Sequence, residues 1–130
     1  MRRKVRVWDS LLRQMYYKRV NQLSQEELSN EGRYKIMLSS GLRDREGNEV
    51  YEDDIVELER FVDAYSSDRT TKPFHQVVFD KGAFCLLFKD CLNKTMPIYL
   101  ARLIDSIKVV GHIYKAPEYI LKTEVLKQEK

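Results

Sequence analysis

The chain has 130 residues, 23 Lys and Arg against 20 Asp and Glu, a formal net charge of +3 and 43% hydrophobic residues. This is the length of one domain with one core, and the composition of an ordinary soluble globular chain. Apolar runs stay far short of the roughly 20 residues that span a bilayer. The basic start MRRKVRVWDS has no apolar stretch behind it that would make a secretory signal, so a cytoplasmic location and no membrane partner are expected.

Residues 4–9, KVRVWD, alternate polar and apolar in the period-two pattern of a strand. Val5 and Val7 fall on one face, with Lys4, Arg6 and Trp8 on the other. That face leaves Trp8 to close a barrel end or pack under a loop. Residues 15–20, MYYKRV, form a second strand, rich in aromatic and β-branched side chains. Ser24 followed by Glu27 is a capping box opening a short helix near 24–30, ended by Asn30 and Gly32. Residues 34–38, YKIML, are a third strand, and Gly41 is expected to break the chain.

The turn signal DREGN over 44–48 places Gly47 where a positive φ is needed. Val50-Tyr51 resumes extension, and 55–58 is a short strand. Residues 63–73 are polar and aperiodic and read as a loop. Residues 75–79 and 83–88, joined by Asp80-Lys81-Gly82, are the clearest hairpin. A connection over 89–97 follows, then 98–104, which fit a strand or a short helix equally. Residues 107–114 are a strand in which Gly111 marks a bulge or a close backbone approach. Ala116-Pro117 opens a C-terminal helix over 117–127, since proline suits a first helical position. The sum is a mainly β domain of six to eight short strands, a small barrel or sandwich. It spans residues 1–120, with 121–130 a helical or frayed tail.

Charge is distributed unevenly. Residues 1–20 carry roughly +6 and residues 44–63 roughly −7. The two segments could pair within one fold or between two copies of it. Arg2, Arg3, Lys4, Arg6 and Trp8, with Tyr16, Tyr17, Lys18 and Arg19, interleave cations with aromatics, as a surface for nucleic acid or a protein partner would. The overall charge is weak for a nucleic-acid binder.

Catalytic constellations are missing from the sequence. Glu52-Asp53-Asp54 lacks the further ligands of a metal or calcium loop, and reads as a turn in which Asp54 bonds backbone amides ahead of Ile55. His75, His112, Cys85 and Cys91 lack zinc-site spacing, and the two cysteines read as plain thiols in a reducing compartment. There is no phosphate-binding glycine loop. No catalytic, cofactor-binding or metal residue is assigned.

Three ordered blocks resemble the YopX-like proteins of bacteriophages and prophages of Gram-positive bacteria. The first is VRVWD at 5–9 with MYY at 15–17. The second is GLRDREGNEVYEDDIV at 41–56, and the third VVGHIYKAPEYI at 109–120, with VVFDKGAF at 77–84 between them. Asp53 stands where that family usually has Gly, and His112 where it has Asn. The resemblance marks Trp8, Asp9, Gly41, Leu42, Asp44, Gly47, Tyr51, Glu52, Asp54, Ile55, Val56, Gly111, Tyr114 and Pro117 as structural motif positions. It implies a mainly β fold and a phage or prophage origin, with no activity attached. The expected function is a non-catalytic accessory protein acting on a protein partner or on itself as a homo-oligomer. Nucleic-acid binding through the basic N-terminal strands is the alternative.

Overall fold

The computed structural model describes residues 3–58, 74–89 and 94–115. Among these, nine strands form two antiparallel sheets and no closed barrel. In the first sheet β1 (Lys4–Asp9) lies between β2 (Gln14–Arg19) and β3 (Tyr34–Arg43), and β4 (Glu49–Tyr51) pairs with β3. Valines, aromatics and alternating polarity favour extension here, and the short β1–β2 connection enforces antiparallel pairing. Both faces of β1 are buried, so its period-two pattern does not mark a wet side. Val5 and Val7 pair with Lys18 and Tyr16, and Glu27 reaches across that face to both partners. Arg6 and Trp8 point the other way, toward the second sheet.

Helix α1 (Gln25–Ser29) starts at the expected capping box: Glu27 N donates to Ser24 Oγ at 3.1 Å, and Ser24 N to Glu27 Oε1 at 2.7 Å. Gly41 does not end the third strand. It takes φ +78° inside β3, where the register against β4 shifts, so the glycine absorbs an irregularity and pairing resumes at Arg43.

The chain crosses between sheets at Glu52-Asp53. Glu52 N donates to Leu38 O of β3, at 3.0 Å. Asp53, at φ +70°, donates its N–H to Val77 O at 2.8 Å and accepts from Ile113 N at 3.1 Å. The second sheet has the order β8 (Thr95–Tyr99), β7 (Ala83–Lys89), β6 (Phe74–Asp80), β5 (Asp54–Leu58), β9 (Ile107–His112). The β6–β7 turn is tighter than expected. Asp80 pairs with Ala83, leaving only Lys81 and Gly82, both at positive φ, as a two-residue turn matched to strand twist. Strand β8 occupies part of the expected connection and includes Pro97, tolerated because β8 is an edge. Both alternatives for 98–104 occur in succession: strand to Tyr99, then helix α2 (Leu100–Leu103) and a 3-10 turn. In β9, Val109 and Gly111 face the adjacent residues Val56 and Ile55, so Val110 is extra, a bulge beside the glycine that signalled it.

The main core joins Val56, Leu58, Val77, Leu86, Ile98 and Ile107 of the second sheet with Val50 of the first, and Leu100 and Leu103 of α2 close it. Burying each such side chain stabilises the fold by about 1.5–3 kcal/mol. The expected loop at 63–73 and the expected C-terminal helix at 117–127, with Pro117, lie outside the described residues.

Candidate functional site

Two features bring the sequence candidates together. The first is a cleft of about 540 Å³ between the sheets, lined by Arg6, Tyr17, Glu49, Tyr51, Asp54 and His112 among others. At its base Arg6 Nη1 meets Asp54 Oδ1 at 2.7 Å, with both side chains almost fully buried. Arg6 Nη2 also donates to Glu52 O at 3.0 Å, and the guanidinium lies 5.0 Å from the Tyr51 ring centroid. Asp54 Oδ2 accepts Tyr51 N at 2.8 Å. Asp54 thus bonds a backbone amide of the turn that precedes Ile55, because the crossover folds Tyr51 N over it. Among the described residues, Arg6 Nε and His112 Nδ1 are buried without hydrogen-bond partners.

Burial pushes the Asp54 carboxyl up to about 6, against the opposing pull of Arg6. Desolvation outweighs the ion pair because the carboxylate is cut off from water on nearly every side. Burial, then the positive charges of Arg6 and Lys115, push His112 down to about 4, so its ring is neutral at pH 7. Trp8 stacks on Tyr114 at 5.6 Å and tilts against His112 at 5.7 Å, sealing the end of this sheet contact.

Asp44 supports the same region. Its Oδ1 accepts Glu46 N at 2.9 Å and Asn48 N at 2.8 Å, and its Oδ2 accepts Val109 N of β9 at 2.8 Å. Burial pushes this carboxyl up, but the amides outweigh it and hold it below the usual range. The turn 44–48 is therefore both a hairpin end and a clamp on the second sheet. Ile55 and Val56 are fully buried, and Leu42 packs against the core.

The second feature is the β1–β2 hairpin. Asp9 Oδ1 accepts Leu11 N at 3.0 Å and Leu12 N at 3.1 Å, and Arg33 grips the same carboxylate with two bonds of 2.9 Å. This bracing fixes a turn whose Leu11 and Leu12 are 69% and 57% exposed. Tyr17, midway along β2, and Val20, past the strand's far end beside Arg3, are also exposed.

The nine basic and aromatic candidates do not form one surface. Lys4 pairs with Glu49 at 3.3 Å, Arg6 with Asp54, and Lys18 with Glu27 at 2.9 Å, while Tyr16 bonds Glu27. Arg6 and Trp8 are 3% and 4% exposed, so neither is available to an external ligand, a correction imposed by the second sheet packing on their face. Arg3 and Tyr17 are exposed, Arg19 half-buried, and Arg2 lies outside the described residues. Two of these ion pairs, Lys4–Glu49 and Arg6–Asp54, join the basic and acidic segments within one chain. Sequence reasoning missed Arg33, Leu11 and Leu12; the only local signal was Asp9 placed before a turn. Among the described residues, no three His, Cys, Asp or Glu side chains converge to hold a metal ion, and no helix is long and apolar enough to cross a membrane.

Together these features define a class: a two-sheet, mainly β domain whose layers are joined by an acidic crossover turn and a buried arginine–aspartate pair. Residues 4–121 match the YopX protein family, and the chain belongs to it. Its fold is similar to that of protein EF1440 from Enterococcus faecalis, known from a crystal structure. That likeness has a TM-score of 0.58 and 20% identity, covering 91% of this chain and 97% of that one. At such identity the likeness concerns fold alone. No curated protein matches the chain.

Proposed function

We propose that this protein is a non-catalytic, cytoplasmic accessory protein of a phage or prophage, a binding module that works through protein–protein contacts of its β1–β2 hairpin. The observation that supports this is the exposed Leu11–Leu12 pair, held on a turn braced by Asp9 and Arg33. Two adjacent leucines in water gain nothing for the isolated fold, and a rigid turn lowers the ordering cost of binding. A photo-crosslinking residue at Leu12, expressed in the host, should give a discrete protein adduct that Leu11→Ser abolishes. No adduct, or the same pattern from a crosslinker at exposed Lys35, would overturn the reading.

The alternative is nucleic-acid binding by Arg3, Arg19 and Tyr17, the candidates outside the Glu27, Glu49 and Asp54 contacts and not fully buried, with Tyr17 also meeting the Tyr51 ring edge-on at 5.6 Å. A salt titration against random DNA decides it: phosphate contacts make affinity fall steeply with salt, and no binding at low ionic strength removes the alternative.

A further inference from the structure

We infer that strand β2 is the pairing edge for a second copy of this chain, joined antiparallel about a two-fold axis through Tyr17. The inference rests on the protein-contact reading above and names its partner.

Four strands end the two sheets, and three carry features that hinder strand addition. β4 is three residues long, β8 contains Pro97 with no amide to offer, and β9 is bulged at Val110. β2 is six residues without proline, glycine or bulge, and no described strand lies beyond it. Its one lysine, Lys18, is folded onto Glu27 and does not guard the edge.

The register follows from backbone alternation. Val20 N donates to Arg3 O at 2.9 Å, so Val20, and by period two Lys18, Tyr16 and Gln14, turn their amides toward β1. Met15, Tyr17 and Arg19 turn theirs outward. Arg19 N confirms the direction: it is capped by the Gln22 side chain at 2.9 Å, an exposed group that a strand would displace.

Two copies of one strand in a continuous antiparallel sheet must be related by an axis between a residue and its own copy; an axis at Tyr16 would set Arg13 against Arg19 and one at Lys18 would set Lys18 against itself, which leaves Tyr17 at the centre of the strand. Tyr17 then meets Tyr17 of the second copy, Lys18 meets Tyr16, Arg19 meets Met15, and Gln14 meets Val20. No cation faces a cation, although β2 is basic, so the strand is self-complementary in this register. The same axis brings the exposed Leu11–Leu12 turn beside Val20 and Leu23 of the second copy, covering the apolar residues that the monomer leaves in water.

Sedimentation equilibrium of the full chain tests this. The wild type should have twice the chain mass. Tyr17→Lys sets two ammonium groups opposite each other and should weaken self-association by about tenfold or more, with the thermal midpoint little changed because Tyr17 is 62% exposed. Tyr17→Cys should give a linked dimer on mild oxidation that the wild-type thiols do not give. A monomeric wild type, or a dimer indifferent to Tyr17→Lys and unlinked by Tyr17→Cys, overturns the inference. If the wild type is monomeric but the Leu12 crosslinker still yields a discrete adduct, the β2 pairing fails while the protein-contact reading stands.

Discussion

Replacing Arg6 by Met probes the joint between the two sheets. Methionine fills much of the arginine stem's volume but leaves Asp54 as an uncompensated carboxylate, 1% exposed, and takes a donor from Glu52 O. Removing one partner of a buried pair costs about 3–5 kcal/mol. The cost should depend on pH, and its sign follows from Asp54. Its folded pKa of about 6 lies above the unfolded value near 4. The folded state therefore binds more protons between these values, and the wild type loses stability as pH rises through that window. Arg6→Met removes the group that holds this pKa down, so the folded pKa rises further and the loss continues above pH 6. At pH 5 the lone carboxyl is protonated and the cost should fall to about 1–2 kcal/mol, the value of the lost hydrogen bonds. At pH 8 it should reach the full 3–5 kcal/mol. Urea unfolding followed by the fluorescence of Trp8, the single tryptophan, reports on the joint because that ring is buried against Tyr114. A cost under about 1 kcal/mol at pH 8, or an equal cost at both pH values, would refute the argument that this pair is buried, charged and bridging.

Asp44→Ala strands three backbone amides, including Val109 N across the sheets; a loss of about 3 kcal/mol or more in chemical unfolding is expected. Asp53→Gly relieves a φ of +70° but gives up the 3.1 Å bond from Gln76, so it should be neutral or mildly stabilising in thermal melts. A clear drop in the midpoint would contradict the turn assignment. Burial pushes the Glu27 carboxyl up, but Ser24, Tyr16 and Lys18 outweigh it and hold it near 2, below its unfolded value. Its contribution is thus present above pH 4.5 and lost as pH falls toward 2, and Glu27→Gln should flatten the acid limb of the stability curve. Leu11→Ser should change stability by less than about 0.5 kcal/mol while abolishing the host adduct formed by the crosslinker at position 12.

Several features could be read from residues a few positions apart. The Ser24–Glu27 box, the Asp44–Asn48 turn, the positive φ of Gly47 and the hairpin about Asp80-Lys81-Gly82 were all accessible this way. Each is decided by local sterics and short-range hydrogen bonds, which any copy of those residues carries into any fold. The number of strands was nearly right for the same reason, since period-two patterning is local. The reading of 89–97 as a connection missed β8, whose Pro97 is tolerated because the strand is an edge, and edges are assigned only when sheets assemble. Gly41 misled because a partner strand carries pairing past it.

What the sequence by itself determined, then, is the mainly β class and the local turns at Ser24–Glu27 and Asp44–Asn48. Which charges meet was left to the tertiary structure. Arg6 and Glu52 are 46 positions apart, and Asp44 and Val109 are 65 apart, yet each pair is in hydrogen-bond contact. The segment counts of +6 and −7 announced that opposite charges could pair, but pairing depends on which face of β1 the second sheet covers. Once that face is covered, Arg6 must be neutralised by whatever carboxylate the crossover turn delivers. The same covering closes Trp8 away and leaves the hairpin tip and the β2 edge as the apolar and open parts of the first sheet.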